Sequence, residues 1–187
     1  MSAIDVVIMA AGKGTRMKSQ RPKVLHRLAG RPLLGHVLDS AAALRARSAV
    51  VITGHGAAEV EAFCADWTGA AGRKSTEIQL RPVRQEPQLG TGHAVQQAVP
   101  MLPDDGLTLI LNGDVPLVRT ETMQRLIALC GDDQIALLTV DTGRDAGAYG
   151  RIVRGAAEPD GDVPVRAIVE AKDATPDQRA ITEWYSG

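Results

Sequence analysis

The sequence predicts an α/β fold, a mostly parallel mixed sheet with helices on both faces. Three observations predict it. Short β-branched runs alternate with stretches whose apolar residues recur at helical spacing. The first run, Ile4–Met9 (IDVVIM), is continuously apolar apart from Asp5, as expected of a strand covered on both faces. A Gly-rich loop then follows that strand directly, the arrangement of strand-end ligand loops in open α/β sheets.

Taken in order, residues 33–46 read as an amphipathic helix and 49–53 as a second strand, closed by Gly54-His55-Gly56. Residues 57–67 read as a helix, 78–83 as a strand, 92–98 as a helix and 107–111 as a strand. A helix over 121–130 and a strand over 134–140 complete the alternation. From Tyr149 the pattern changes to short strands, 150–154 and 165–170, with no helix between them. They are expected to extend the same sheet in antiparallel fashion, so that 1–187 forms a single domain. The last element is a helix over 175–183. Thr175 is its N-cap, Pro176 takes the first position and Gln178 completes a capping box. The chain shows no internal repeat and no hexapeptide pattern.

Composition narrows the function classes. The 187 residues are 44% apolar and 23% charged, which excludes disorder, collagen and coiled coil. Lys plus Arg (21) balance Asp plus Glu (22), and aromatics are 3%, which argues against a nucleic-acid binder. Cys64 and Cys130 lack metal-ligand spacing and read as reduced, buried thiols. No apolar run approaches the ~20 residues of a membrane helix, and the start lacks a basic leader region. The expectation is a cytoplasmic protein without a membrane or nucleic-acid partner.

Three segments carry candidate chemistry. In MAAGKGTRM (residues 9–17), Gly12 and Gly14 let the backbone approach a ligand, and Lys13 and Arg16 add positive charge. Lys23 follows on a Pro-anchored segment. This cationic loop suits a triphosphate; an ordinary strand-to-helix turn with solvated charges is the alternative. Met17 stands where a dinucleotide fingerprint wants its third glycine, and the spacing is not that of a P-loop. In NGDVPL (residues 112–117) an apolar strand delivers Asp114 at its carboxyl end, where it could hold Mg²⁺ against phosphates or cap the following turn. In QEPQLGTGHA (residues 85–94), Gln85 and Gln88 carry amides suited to a base edge, Gly90 and Gly92 permit close approach, and Thr91 could cap the next helix. His93 reads as a structural hydrogen-bond donor. His26, His36 and His55 show no convergent spacing.

The strings AAGKGTRM, RPKVLHRLAGRPLLGHV, QLGTGHAVQQA, NGDVPL, YGRIVR and IVEAKDATPDQRAI occur in the order of a known family. The chain resembles the uridyltransferase half of the bacterial bifunctional N-acetylglucosamine-1-phosphate uridyltransferase/glucosamine-1-phosphate acetyltransferases. The opening string is shared by many sugar and polyol nucleotidyltransferases, whereas QLGTGHA and EAKDA are specific to this family. The resemblance implies a Rossmann-like nucleotidyltransferase fold and Mg²⁺-dependent transfer of UMP from UTP to N-acetylglucosamine-1-phosphate. The products are pyrophosphate and UDP-N-acetylglucosamine, the precursor of peptidoglycan and lipopolysaccharide. It further implies that Ala10, Ala11, Gly12 and Gly14 meet the uridine nucleotide, and that Arg16 and Lys23 are the catalytic cations that neutralise phosphates. Gln85 would read uracil, with Gly90 and Thr91 lining the pocket. Asp114 would be a Mg²⁺ ligand, and Gly150 and Glu170 would face the sugar.

Two departures accompany the resemblance. Tyr185 stands where the family has a sugar-contacting asparagine. The family's second metal ligand and its acetyltransferase β-helix, through which the parent forms a homotrimer, also have no counterpart in these residues. The domain is therefore expected to be incomplete at its C-terminus. Alternatives from other classes are a non-catalytic nucleotide-sugar binding fragment, a cytidylyltransferase of the same superfamily, and a dinucleotide oxidoreductase.

Overall fold

The computed structural model describes residues 3–14, 17–69, 78–131, 134–158, 161 and 163–185. Two compact units emerge, residues 1–127 and 128–187.

The first unit is built on four parallel strands in the order β5-β4-β1-β6: β1 (Ile4–Met9), β4 (Ser48–Thr53), β5 (Gln79–Arg84) and β6 (Leu107–Asn112). A short hairpin, β2 (Arg27–Leu28) with β3 (Arg31–Pro32), precedes the first helix and was not signalled by apolar alternation. Successive side chains of a strand point to opposite faces, and both faces of the two central strands, β1 and β4, are covered, whereas the outer strands β5 and β6 are partly exposed. Val6, Ile8, Ala49 and Val51 pack against α1 (Leu33–Ala43), α2 (Ala57–Gly69) and α4 (Thr120–Leu129), through residues such as Leu34, Leu38, Val60 and Met123. Val7, Val50 and Ile52 pack against Ala94 and Ala98 of α3 (Thr91–Ala98). This double covering is why IDVVIM and SAVVIT are continuously apolar rather than alternating.

The amino edge of the sheet is pinned by one charge network. Asp5, buried, accepts from Arg47 at 2.6 Å and from Ser48 Oγ at 2.6 Å, and Arg47 also reaches Asp105 at 3.0 Å. Burial alone would raise the Asp5 carboxyl, but the hydrogen bonds from Arg47 and Ser48 outweigh it and hold the carboxyl below its usual range. Cys64 is buried against the same core, and loss of solvation, with Glu61 nearby, pushes its thiol up to about 12; Cys130, also expected to be buried, is only half-buried because it lies just past the end of α4.

The second unit is an antiparallel sheet in the order β7-β10-β8-β9: β7 (Thr139–Asp141), β8 (Arg151–Arg154), β9 (Val165–Val169) and β10 (Glu183–Tyr185). The sequence expects these strands to extend the parallel sheet; among the described residues they form a sheet of their own. Two boundaries also differ. The run 134–140 forms a strand only over Thr139–Asp141. The last helix, α5 (Pro176–Arg179), stops after one turn because Trp184 and Tyr185, good strand formers, pair with β7 and β8 instead. Its expected capping box is present: Gln178 N–H donates to Thr175 Oγ1 and Thr175 N–H to Gln178 Oε1. No helix among the described residues is long and apolar enough to cross a membrane.

Candidate active site

Parallel pairing brings four strand ends to one edge. Met9 lies opposite Ile52 and Asn112, and Ile52 lies opposite Val83. The loops that begin at Ala10, Gly54, Gln85 and Gly113 therefore leave the sheet from its carboxyl side, where open α/β sheets take their ligands. Ala10 and Ala11 are buried, and both are tied to the neighbouring loops. Ala10 N–H donates to the Ile52 carbonyl at 2.9 Å. The Ala11 carbonyl accepts from His55 N–H at 3.2 Å and from Gln88 Nε2 at 2.9 Å. Gln88, expected to present its amide to a base, thus spends its nitrogen on the loop. Gly54 makes this closeness possible, since a Cβ there would fall on the Gln88 nitrogen and 2.9 Å from Ala11 Cβ. Sequence reasoning read Gly54 only as a strand end.

Beyond Ala11 the backbone opens. Gly12 is exposed, and a Cβ on it would meet nothing within 4 Å. Gly14 has φ +57°, and a Cβ there would press on Lys23 at 2.9 Å, so glycine is required on both conformational and steric grounds. Arg16 lies outside the described residues. Lys23 opens a short 3-10 turn, Lys23–Leu25, and its ammonium forms an ion pair with the Asp114 carboxylate. The Asp114 side chain is 24% exposed and that of Lys23 37%, so both remain reachable from solvent. Gly113 lets the Asp114 loop close on the first strand: its N–H donates to the Met9 carbonyl at 2.9 Å, and a Cβ would lie 3.1 Å from that oxygen. Among the described residues no three His, Cys, Asp or Glu side chains converge as a metal cluster. Asp114 offers hard carboxylate oxygens of the kind that Mg²⁺ takes together with phosphate oxygens and water.

The third strand end carries Gln85. It is buried, its N–H donates to the Thr53 carbonyl at 2.8 Å, and its side-chain nitrogen meets the Gly90 carbonyl at 2.8 Å and His93 Nδ1 at 3.2 Å. His93, expected to be a structural hydrogen-bond donor, contacts Gln85 through Nδ1 and the Gln97 amide through Nε2, at 3.2 Å each. Gly90 has φ +103° and open space around it, and Thr91, the exposed first residue of α3, stands beside it. Thr91 does not cap the helix; Gly90 occupies that position.

In the second unit Gly150 and Glu170 are brought together. Residues Arg151 and Val169 are paired across β8 and β9, and a Cβ on Gly150 would lie 3.0 Å from Ile168 and 3.7 Å from Glu170 Oε1. The Gly150 carbonyl accepts from Tyr185 N–H at 2.9 Å, so Tyr185 acts here through its backbone. The turn before Gly150 is shaped by Arg151, a residue the sequence did not single out. Its guanidinium is buried and donates to the Gly147 carbonyl at 2.6 Å, the Tyr149 carbonyl at 2.5 Å and Asp145 at 3.1 Å. Tyr149 stacks on Trp184 with ring centroids 4.3 Å apart and planes 24° from parallel.

Residues 6–175 match the MobA-like NTP transferase domain. The chain belongs to the MobA-like NTP transferase family. Two curated relatives are each 64% identical to it and are named Bifunctional protein GlmU. That of Polaromonas naphthalenivorans aligns over 184 residues, 98% of this chain, and that of Paracidovorax citrulli over 187 residues, 100% of this chain. The chain spans 37% of the length of each relative. Among solved structures, a UDP-glucose pyrophosphorylase from Acinetobacter superposes with a TM-score of 0.74 at 19% identity, covering 99% of this chain and 73% of that one. At that identity the likeness establishes the NTP transferase fold.

Proposed function

We propose that this chain is the uridyltransferase domain of a GlmU-like protein, the two units serving one nucleotidyltransferase domain. It would transfer UMP from UTP to N-acetylglucosamine-1-phosphate, giving UDP-N-acetylglucosamine and pyrophosphate in the cytoplasm. The rest of such a protein would add the acetyltransferase activity and the trimer contacts. The carrying observation is the Lys23–Asp114 ion pair set beside the open Gly12–Gly14 backbone, supported by 64% identity to GlmU proteins along the whole chain.

The attacking group in this reaction is already an anion, so no side chain has to remove a proton from it. A phosphate oxygen of the sugar phosphate forms a bond to the α-phosphorus of UTP. The bond from that phosphorus to the bridging oxygen breaks, and pyrophosphate leaves with the electron pair. What the protein must supply is alignment and neutralisation of charge. Lys23 and Arg16 would neutralise the phosphates, and the backbone of Ala10, Ala11, Gly12 and Gly14 would lie along the nucleotide. When Lys23 turns to a phosphate, the Asp114 carboxylate is released from its present partner and would hold Mg²⁺. Bound there, the ion would screen the negative charge of the triphosphate. Gln85, Gly90 and Thr91 would surround uracil, and Gly150 and Glu170 would meet the sugar.

The test is pyrophosphate release from UTP and N-acetylglucosamine-1-phosphate, with CTP as the competing nucleotide. Release with UTP supports the transferase. Binding of UDP-N-acetylglucosamine without release would make the chain a nucleotide-sugar binding module, and preference for CTP would make it a cytidylyltransferase.

A further inference from the structure

A glutamine amide is a donor on one side and an acceptor on the other, and which side meets a ligand decides what it selects. At Gln85 the surroundings decide. The nitrogen lies 2.8 Å from the Gly90 carbonyl, which can only accept. Reversing the amide would set two acceptors against each other. With the nitrogen fixed on that side, His93 Nδ1 at 3.2 Å accepts as well, which leaves Nε2 as the ring's donor. The Gln97 nitrogen lies 3.2 Å from Nε2 and 3.3 Å from the His93 carbonyl; turning that amide presents its oxygen to the Nε2 proton and gives up only the longer carbonyl contact, whereas turning Gln85 would give up its 2.8 Å bond to Gly90. Both hydrogens of the Gln85 nitrogen are then engaged inside the protein. The Gln85 oxygen takes no hydrogen bond among the described residues, and it is not one of their enclosed, unpartnered polar atoms, which are His26 Nε2 and Arg151 Nε.

We propose that His93 is a positioning residue that makes Gln85 an acceptor-only reader, selecting a pyrimidine whose N3 carries a proton over one whose N3 is bare. The inference rests on the reading that Gln85 faces the base. Uracil donates its N3 proton to the free oxygen. Cytosine presents an acceptor at N3 and meets that oxygen with repulsion, and a site built around such a bond rejects the analogue that cannot make it. Gly90 alone ties the amide with one bond; His93 adds the second and makes reversal costlier. One net neutral hydrogen bond corresponds to roughly a two- to twelvefold change in population.

Calorimetric titration of the whole chain with UTP and with CTP, each with Mg²⁺, reads the selectivity ratio directly. His93→Leu is expected to reduce the UTP/CTP affinity ratio about two- to twelvefold, in part by strengthening CTP. His93→Asn, whose Oδ1 reaches the place of Nδ1, is expected to restore it. A merely structural role for His93 would weaken both nucleotides alike and leave the ratio unchanged. If the leucine variant does not fold, His93→Ser, too short to reach the amide, takes its place with the same expectation. An unchanged ratio in the leucine or serine variant, while Gln85→Ala erases selectivity, overturns the positioning role and leaves Gln85 as the base reader. An asparagine variant as unselective as the leucine one also overturns it. An unchanged ratio in Gln85→Ala, or no nucleotide binding by the unaltered chain, removes the reading and the inference together.

Discussion

Replacing Asp114 with asparagine separates a metal ligand from a structural turn residue. The side chain keeps its shape and loses its charge, so the ion pair to Lys23 is lost while the packing of Gly113 against Met9 stays. Both partners are partly exposed, with 37% of the Lys23 side chain and 24% of the Asp114 side chain accessible, so the pair belongs near the surface regime. Such pairs contribute about 0.2–1 kcal/mol. In a chain of this size that corresponds to a fall in melting temperature of less than about 4 °C. Metal dependence should respond far more strongly, because Asp114 is the one carboxylate at the carboxyl edge assigned to Mg²⁺. The expected result is that the gain in UTP affinity on adding Mg²⁺ shrinks by about tenfold or more, or about 1.4 kcal/mol. Thermal unfolding followed by circular dichroism gives the first quantity, and calorimetric titration with and without Mg²⁺ gives the second. A melting temperature lower by about 8 °C or more would make Asp114 a structural residue. An unchanged response to Mg²⁺ would refute the ligand assignment.

Other substitutions probe the parts that hold the site. Gly54→Ala places a methyl against the Gln88 amide and Ala11 Cβ, and should cost about 1–3 kcal/mol in urea unfolding and weaken UTP; wild-type values of both would show that the edge is not packed as described. Arg151→Met removes three hydrogen bonds from the turn before Gly150 and should cost about 2–3 kcal/mol. It should weaken UDP-N-acetylglucosamine more than UTP in parallel titrations, and equal losses would contradict the placing of Gly150 against the sugar. Asp5 has its carboxyl held below the ordinary 3.8, so its charge contributes stability above that pH, and the contribution is lost as pH falls through the lowered value. Asp5→Asn should therefore reduce the loss of urea stability between about pH 5 and pH 2, and an unaltered acid profile would rule out this source.

The features legible in the sequence were those set by neighbours along the chain. The apolar runs of β1 and β4, the helical spacing of α1 and the Thr175–Gln178 capping box all encode local preferences, and the structure contains each of them. The first helix was read too long because Leu44 continues the apolar pattern, yet Arg45 at φ +55° already turns away. Which sheet a strand joins depends on partners far along the chain. Residues 150–154 and 165–170 look the same whether they extend the parallel sheet or build their own with Trp184 and Tyr185. At the site, glycines next to a cationic loop and an aspartate at a strand end were recognisable by type and place. The contacts that give those residues direction were not. Lys23 and Asp114 are 91 positions apart and meet only after β1 and β6 pair. Gln85 and His93 meet across a loop whose course the string QEPQLGTGH does not reveal, so the partner of His93 was not legible.

The central claim, that these residues build a site for a uridine nucleotide-sugar, is tested most directly by titrating the chain with UDP-N-acetylglucosamine in the presence of Mg²⁺, with CTP and NAD as controls. The account predicts saturable one-to-one binding, with both controls weaker by about tenfold or more. Absence of binding, or equal binding of either control, would contradict it.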